Sequence, residues 1–255
     1  MNNFALNKKH RFTGVFDTGA GGLNVLKECK RLMPYENYLY FADTFSAPYG
    51  NRDENEIQRL TMAAVKKMEG YGLKALLLAC NTATSAAAET LRKTFFYPII
   101  GMEPALKPAT AAAAEGKNIL LLCTPATARQ EKLKSLIKTL PRQNIIIAPQ
   151  ESLASDIENN IENLSALKDR LIDMLSPYQA KNIGAVVLGC THYIFIKAMI
   201  NEILGGIPVF DGADGTVKNL ENTLLHADLT TQKTEKGQLL IVTTAPPKIS
   251  YWKLC

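Results

Sequence analysis

Along this 255-residue chain, short apolar runs alternate with longer stretches whose apolar positions recur at helical spacing. The apolar runs are 13–17 (TGVFD), 38–42 (YLYFA), 75–79 (ALLLA), 97–101 (YPIIG), 118–123 (NILLLC), 144–148 (NIIIA), 184–189 (GAVVLG), 207–211 (IPVFD) and 239–244 (LLIVTT). They are rich in Leu, Ile and Val without polar alternation, the pattern of strands covered by helices on both faces. The helical spacing predicts helices at 22–33, 54–71, 84–95, 126–139, 164–179, 193–204 and 214–225. Strand–helix alternation of this kind builds βαβ units, so the expected fold class is α/β with mainly parallel sheet.

The chain also echoes itself. VFDTGAG (15–21) resembles VFDGADG (209–215), LLLACNT (76–82) resembles VVLGCTH (186–192), and ILLLCTPAT (119–127) is a third variant. Two pseudo-symmetric α/β domains would explain the echo, each a mainly parallel sheet flanked by helices, with the active site in the cleft between them. Proline and glycine interrupt the pattern near Gly101 and Pro208. The expected division is therefore 1–101 plus 209–255 for the first domain, carrying Cys80, and 102–208 for the second, carrying Cys190. The C-terminal segment returns to complete the first.

Composition narrows the class. An apolar content of 47% and a charged content of 21% are ordinary for a soluble globular protein. The 29 Lys and Arg outnumber the 24 Asp and Glu by five, but they are scattered. A nucleic-acid groove or membrane patch would need clustering, so neither partner is expected. The opening MNNFALNKKHRF lacks the apolar core of a signal peptide, and no apolar run approaches the ~18 residues of a membrane span. The five cysteines (Cys29, Cys80, Cys123, Cys190, Cys255) are odd in number and form no CxxC pair. That argues against a disulfide framework or zinc cluster and for reduced thiols in the cytoplasm.

Ligands of parallel α/β sheets bind beyond the carboxyl ends of the strands. The polar clusters Asp17-Thr18-Gly19, Asn81-Thr82 and Thr191-His192 all fall there. Helix N-termini at such turns hold anions, an amino-acid carboxylate as well as a phosphate. DTGAGG (17–22) lacks both G-x-G-x-x-G and the phosphate-loop lysine, which counts against a nucleotide. Cys80 and Cys190, taken singly, read as small buried apolar residues. As a pair in matching contexts they read as acid–base thiols, with pKa values lowered by helix N-termini. Two thiols facing each other across a cleft can invert a stereocentre without a metal or pyridoxal cofactor. Cys123, followed by Thr-Pro, reads as structural, as does Cys29 within a helix; Cys255 is the last residue. His192, two residues after Cys190, reads as a proton-relay partner or as a structurally satisfied histidine. Asp17 can equally be a helix N-cap. APYG (47–50) reads first as a turn, and Tyr49 matters only if that loop borders the cleft.

In order along the chain, GVFDTGAGGLNVL (14–26), ADTFSAPYG (42–50), LLLACNTATSAA (76–87), IIGMEPALKPA (99–109) and VVLGCTHY (186–193) resemble the motifs of bacterial glutamate racemases. The likeness extends over about residues 13–215. It implies cofactor-independent two-base racemisation of L- and D-glutamate, with D-glutamate supplied to peptidoglycan synthesis. Carried over residue by residue, Cys80 would take the α-proton of D-glutamate and Cys190 that of L-glutamate, with Asp17 and His192 supporting them. Thr18, Asn81, Thr82 and Thr191 would bind the carboxylates and amine, with Pro48, Tyr49 and Gly50 from the loop. Thr124 and Thr127 match threonines of a third strand-end motif, and Glu158 is offered for a glutamate the family holds near the second thiol. A homodimer is the expected assembly. Several positions depart from the pattern: Thr18 for serine, ADT (42–44) for GDS, Ile194 for proline, and ARQEKL (128–133) where a glycine and a serine–tyrosine pair are usual. These departures bear on specificity and regulation more than on chemistry. The alternatives are a racemase of another acidic amino acid such as aspartate, a racemase-fold binding protein of the gyrase-inhibiting kind, and a nucleotide-binding doubly wound protein.

Overall fold

The computed structural model describes residues 12–141, 144–232 and 234–246. A first sheet is built from β1 (Phe12–Asp17), β2 (Tyr38–Ala42), β3 (Leu73–Leu78) and the short β4 (Ile99–Gly101). α1 (Leu23–Leu32), α2 (Glu54–Glu69) and α3 (Asn81–Thr94) connect them. α4 (Leu106–Ala112) leads into a second sheet of β5 (Asn118–Cys123), β6 (Asn144–Pro149), β7 (Ile183–Gly189) and β8 (Val209–Asp211). Its connections are α5 (Pro125–Arg129), α6 (Glu131–Lys138), α7 (Leu153–Asn159), α8 (Lys168–Gln179) and α9 (Lys197–Ile203). α10 (Ala213–His226) and β9 (Leu239–Thr243) then return to the first sheet. The strand orders are β4-β3-β1-β2-β9 and β6-β5-β7-β8, with every pair parallel.

Period-two burial explains the unbroken apolar runs. In β3, Ala75 and Leu77 face Leu26 of α1 and Val217 of α10, while Leu76 and Leu78 face Ile57 of α2 and Leu91 of α3. In the second sheet, Leu120 and Leu188 face Leu153 of α7 and Leu171 of α8, while Leu121 and Val187 face Leu106 of α4 and Leu133 of α6. Each fully buried Leu contributes about 1.5–3 kcal/mol, so a polar residue on either face would be costly. The exception, Lys74 of β3, is buried but donates to Leu229 O at 2.6 Å and Thr231 Oγ1 at 2.9 Å, and it pairs with Glu36. Among the described residues no helix is long and apolar enough to cross a membrane.

The structure corrects the sequence reading in several places. The expected first-domain piece beginning at 209 opens with β8, which pairs with β7 in the second sheet. Pro208 punctuates that run without ending the sheet. Its carbonyl accepts the ladder bond from Val186 N at 2.9 Å, and β8 is an edge strand, where a missing N–H is tolerated. The chain crosses to the first half only at α10, whose Ala213, Val217, Leu220 and Leu224 enter the core around α1. The helix expected over 126–139 is two helices, because Gln130 between them is extended (φ −74°, ψ 137°). The expected helices at 164–179 and 193–204 each begin as a 3-10 turn, Leu164–Leu167 and Thr191–Ile196. α3 begins at Asn81 rather than 84, which brings Asn81 and Thr82 into its first turn. The sequence reading missed α4 and α7, each of seven residues and too short for periodicity to declare them.

Candidate active site

Because each sheet is parallel, its strands end on one edge, and the residues following β1, β3, β5 and β7 line one cavity of about 390 Å³. Thr18 follows β1, Cys80, Asn81 and Thr82 follow β3, Thr124 follows β5, and Cys190, Thr191 and His192 follow β7. Pro48, Tyr49 and Gly50 form one wall, and Glu158 on α7 stands in another. Two expected site residues stand one layer back. Asp17, fully buried, lies behind Thr18, and Thr127, also fully buried, bonds to Thr82 Oγ1 at 3.2 Å and Thr124 Oγ1 at 3.0 Å. Thr82 and Thr124 themselves meet at 2.9 Å, so three hydroxyls from both halves share one cluster.

Each thiol has a titratable neighbour, Asp17 acting on Cys80 through its charge and His192 contacting Cys190. Cys80 is the N-cap of α3, its Sγ accepting from Ala83 N at 3.5 Å. The expected lowering of its pKa is overturned. Burial pushes the thiol well above its ordinary value, the nearby Asp17 charge adds to the rise, and the backbone donors of Ala83 and Thr82 only partly oppose it. Desolvation outweighs the helix N-terminus, and Cys80 rests as a thiol. Asp17 is likewise raised by burial, against the charge of His192 and the hydrogen bonds of Thr18 N, Gly22 N and Thr191. The helix-cap reading of Asp17 holds in part, since Gly22 N at the start of α1 donates to its Oδ2.

On the other face, His192 Nδ1 lies 4.0 Å from Cys190 Sγ and Nε2 pairs with Glu158 Oε2 at 2.6 Å. Burial alone would lower the imidazole, but its bonds to Cys190 and Glu158 raise it well above its ordinary value. His192 is therefore poised as an imidazolium between a sulfur and a carboxylate.

Two carboxylates also bridge the halves reciprocally. Asp17 Oδ2, from the first, accepts from Thr191 Oγ1 at 3.1 Å, and Glu158 Oε2, from the second, accepts from Ala20 N at 2.8 Å. The approach requires glycine: a Cβ on Gly21 would lie 2.4 Å from Thr191 Oγ1 and 2.7 Å from His192 N. Tyr40 OH fixes the same turn by donating to Gly19 O at 2.6 Å.

Among the described residues the lining contains neither lysine nor arginine. An anionic ligand must instead be met by helix N-termini, hydroxyls, amides and His192. Asn81 is 2% exposed, yet neither its Nδ2 nor its Oδ1 has a partner among the described residues, and Asp17 Oδ1 has none either. Buried polar groups are normally satisfied, and Asn81 lines the cavity, so its amide is available to a ligand there, whereas Asp17 Oδ1 lies behind the lining. No cluster of three or more His, Cys, Asp or Glu among the described residues is arranged to hold a metal ion. Sequence reasoning missed Thr44, Gln150, Glu151, Ser155, Asn159 and Pro246 in the lining. Thr44 lay inside the motif already singled out, whereas Ser155 and Asn159 sit on the unforeseen α7.

Residues 27–220 match the family of Asp/Glu/Hydantoin racemases. A glutamate racemase from Clostridium botulinum is 41% identical over 240 residues, covering 93% of each chain. One from Halothermothrix orenii is 39% identical over 229 residues, 89% of this chain and 90% of the relative. The fold matches that of Escherichia coli glutamate racemase, solved with L-glutamate and the activator UDP-MurNAc-ala, with a TM-score of 0.81 at 27% identity over 93% of this chain and 91% of that one. With two cysteine-ended strands meeting in one cavity and relatives of this closeness along nearly its whole length, the chain belongs to the Asp/Glu/Hydantoin racemase family.

Proposed function

We propose that the protein interconverts L- and D-glutamate by a two-base mechanism in which Cys80 and Cys190 work on opposite faces of the α-carbon. The carrying observation is that these cysteines, ending β3 and β7 in different halves, line one cavity, with the Asp17 charge acting on Cys80 and His192 contacting Cys190. The name shared by the relatives and the L-glutamate held by the E. coli enzyme support glutamate as the substrate.

In the D-to-L direction Cys80 passes its proton to the Asp17 carboxylate, whose affinity for a proton is raised by burial. The thiolate then takes the α-proton, breaking Cα–H and forming S–H. Electron density on Cα spreads into the α-carboxylate, held by the amides and hydroxyls of Asn81, Thr82 and Thr191. Cys190 returns a proton to the opposite face, and His192, backed by Glu158, reprotonates that sulfur. The L-to-D direction runs the same steps in reverse. Pro48, Tyr49 and Gly50 and the hydroxyls of Thr18 and Thr124 hold the rest of the substrate, and Thr127 positions Thr82 and Thr124 from behind.

This reading places the reaction in the cytoplasm, where thiols stay reduced, supplying D-glutamate for peptidoglycan; the four described cysteines are free. It also keeps a homodimer as the expected assembly, which light scattering on the purified protein reads. The test is optical rotation of each glutamate and aspartate enantiomer incubated with purified enzyme and no added cofactor, repeated with C80A and C190A. Glutamate should invert, and each variant should stay folded but fail to racemise. Near-normal turnover in either variant would rule out the two-thiol mechanism, and inversion of aspartate alone would correct the substrate.

A further inference from the structure

The motif ADTFSAPYG contains a buried carboxylate that proton transfer does not use. Asp43 is 5% exposed, and its two oxygens serve different parts of the chain. Oδ2 accepts from Tyr49 OH at 2.7 Å, in the loop that walls the cavity, and Oδ1 accepts from Thr244 Oγ1 at 2.7 Å, just beyond β9. Its backbone N–H donates to Asp17 O at 3.0 Å, and its carbonyl accepts from Ser46 N at 3.2 Å and Ala47 N at 3.1 Å. One residue thus joins the end of β1, the 47–50 loop and the C-terminal return segment.

The return segment is itself clasped to this motif. Thr244 N donates to Ala42 O at 3.1 Å, and Phe45 N donates to Thr244 Oγ1 at 2.9 Å. Thr44 Oγ1 donates to Ala245 O at 2.7 Å and accepts from Ala245 N at 2.9 Å. The clasp carries Pro246 into the cavity lining beside Thr44 and Tyr49.

We propose that Asp43 is a positioning residue which, with Thr244, sets substrate affinity by holding Tyr49 and the 47–50 loop in place, making the C-terminal return segment part of the binding site. A buried carboxylate needs a donor on each oxygen. Without the Thr244 hydroxyl, Oδ1 is left uncompensated, Asp43 turns to find another donor, and the phenol loses its anchor. Tyr49 packs in the same cluster as Cys80 but transfers no proton in the proposed reaction, so its displacement acts on how firmly the substrate is held, in ground state and transition state alike. That loss appears in KM and not in kcat.

The kinetic consequence rests on the racemase reading above; the positioning itself does not. The test compares wild type with Thr244→Val, Thr244→Ser and Asp43→Asn, measuring kcat and KM for glutamate and, separately, amide hydrogen exchange over 45–51. Thr244→Val should raise KM about tenfold, the value of one hydrogen bond to a charged group, with kcat little changed. It should also lose loop protection, and Thr244→Ser should restore both. Asp43→Asn should show the larger effect; should it fail to fold, the Thr244 pair carries the test alone. Wild-type KM in Thr244→Val, a fall in kcat at constant KM, or a raised KM with unaltered loop exchange would each overturn the proposal. Wild-type enzyme that leaves glutamate untouched would refute the functional reading instead, and loop exchange would then decide the positioning by itself.

Discussion

Replacing Glu158 with glutamine removes one negative charge while preserving the shape of the side chain. Glu158 Oε2 receives both His192 Nε2 at 2.6 Å and Ala20 N at 2.8 Å, and its side chain is 23% exposed. The glutamine carbonyl can still accept from Ala20 N, so closure of the two halves is largely kept. What disappears is the charged partner that helps hold His192 as an imidazolium. A hydrogen bond to a charged group contributes about 1.5–3 kcal/mol, so kcat/KM should fall about ten- to a hundredfold. Enantiomers are equal in energy, so the equilibrium constant is unity and kcat/KM must fall equally in both directions; only kcat and KM taken singly can become asymmetric.

The sign with pH follows from the raised His192. Its folded value lies above its unfolded one near 6.5, so the stability it contributes is complete below that pH and is lost as pH rises through the folded value. Glutamine lowers the folded value. The alkaline limb of kcat/KM should therefore move to lower pH, and the Tm deficit should be largest at mildly acidic pH and shrink toward alkaline pH. Stopped-assay polarimetry from both enantiomers between pH 6 and 10, with calorimetry alongside, reads all of this. A variant with wild-type kcat/KM and an unmoved alkaline limb would refute the reasoning.

Three further outcomes are expected. Asp17→Asn should abolish racemisation yet leave Tm at neutral pH unchanged or higher, since it removes a fully buried carboxyl that burial holds toward its neutral form; a large fall in Tm would show that the charge is structural. Gly21→Ala should lower activity at least tenfold, because its Cβ would meet Thr191 Oγ1 at 2.4 Å and force the halves apart; scattering or fluorescence that reports an unaltered cleft, with full activity, would contradict it. Cys80, pushed well above the ordinary thiol range, should be alkylated by iodoacetamide more slowly than a free thiol at about pH 8, and more slowly still with D-glutamate bound; peptide mapping that finds it hyper-reactive would refute the burial argument.

The central strands were legible in the sequence because both their faces are apolar; β1, β2 and β5 lie within a residue of their expected bounds. The two thiols were legible because a cysteine ending a Leu/Val run and followed by small hydrogen-bonding residues is a local pattern. Less legible was whatever depends on packing across the molecule. Pro208 reads as a boundary, but edge pairing keeps β8 in the second sheet. The direction of the Cys80 shift depends on burial, which the four residues after it do not reveal. Glu158 was reached only by likeness, since its helix is seven residues long and its partners His192 and Ala20 are 34 and 138 positions away. Asp43 and Thr244, 201 positions apart, meet only once β9 has returned beside β2.

The most direct test of the two-thiol mechanism is incubation of each glutamate enantiomer in D2O without added cofactor, following deuterium at the α-carbon of product and recovered substrate during the first turnovers. Two bases on opposite faces should give fully deuterated product while recovered substrate still carries its original proton, from either enantiomer. Deuterium entering recovered substrate as fast as product, or original proton returning in the product, would mean a single base and contradict the assignment of Cys80 and Cys190.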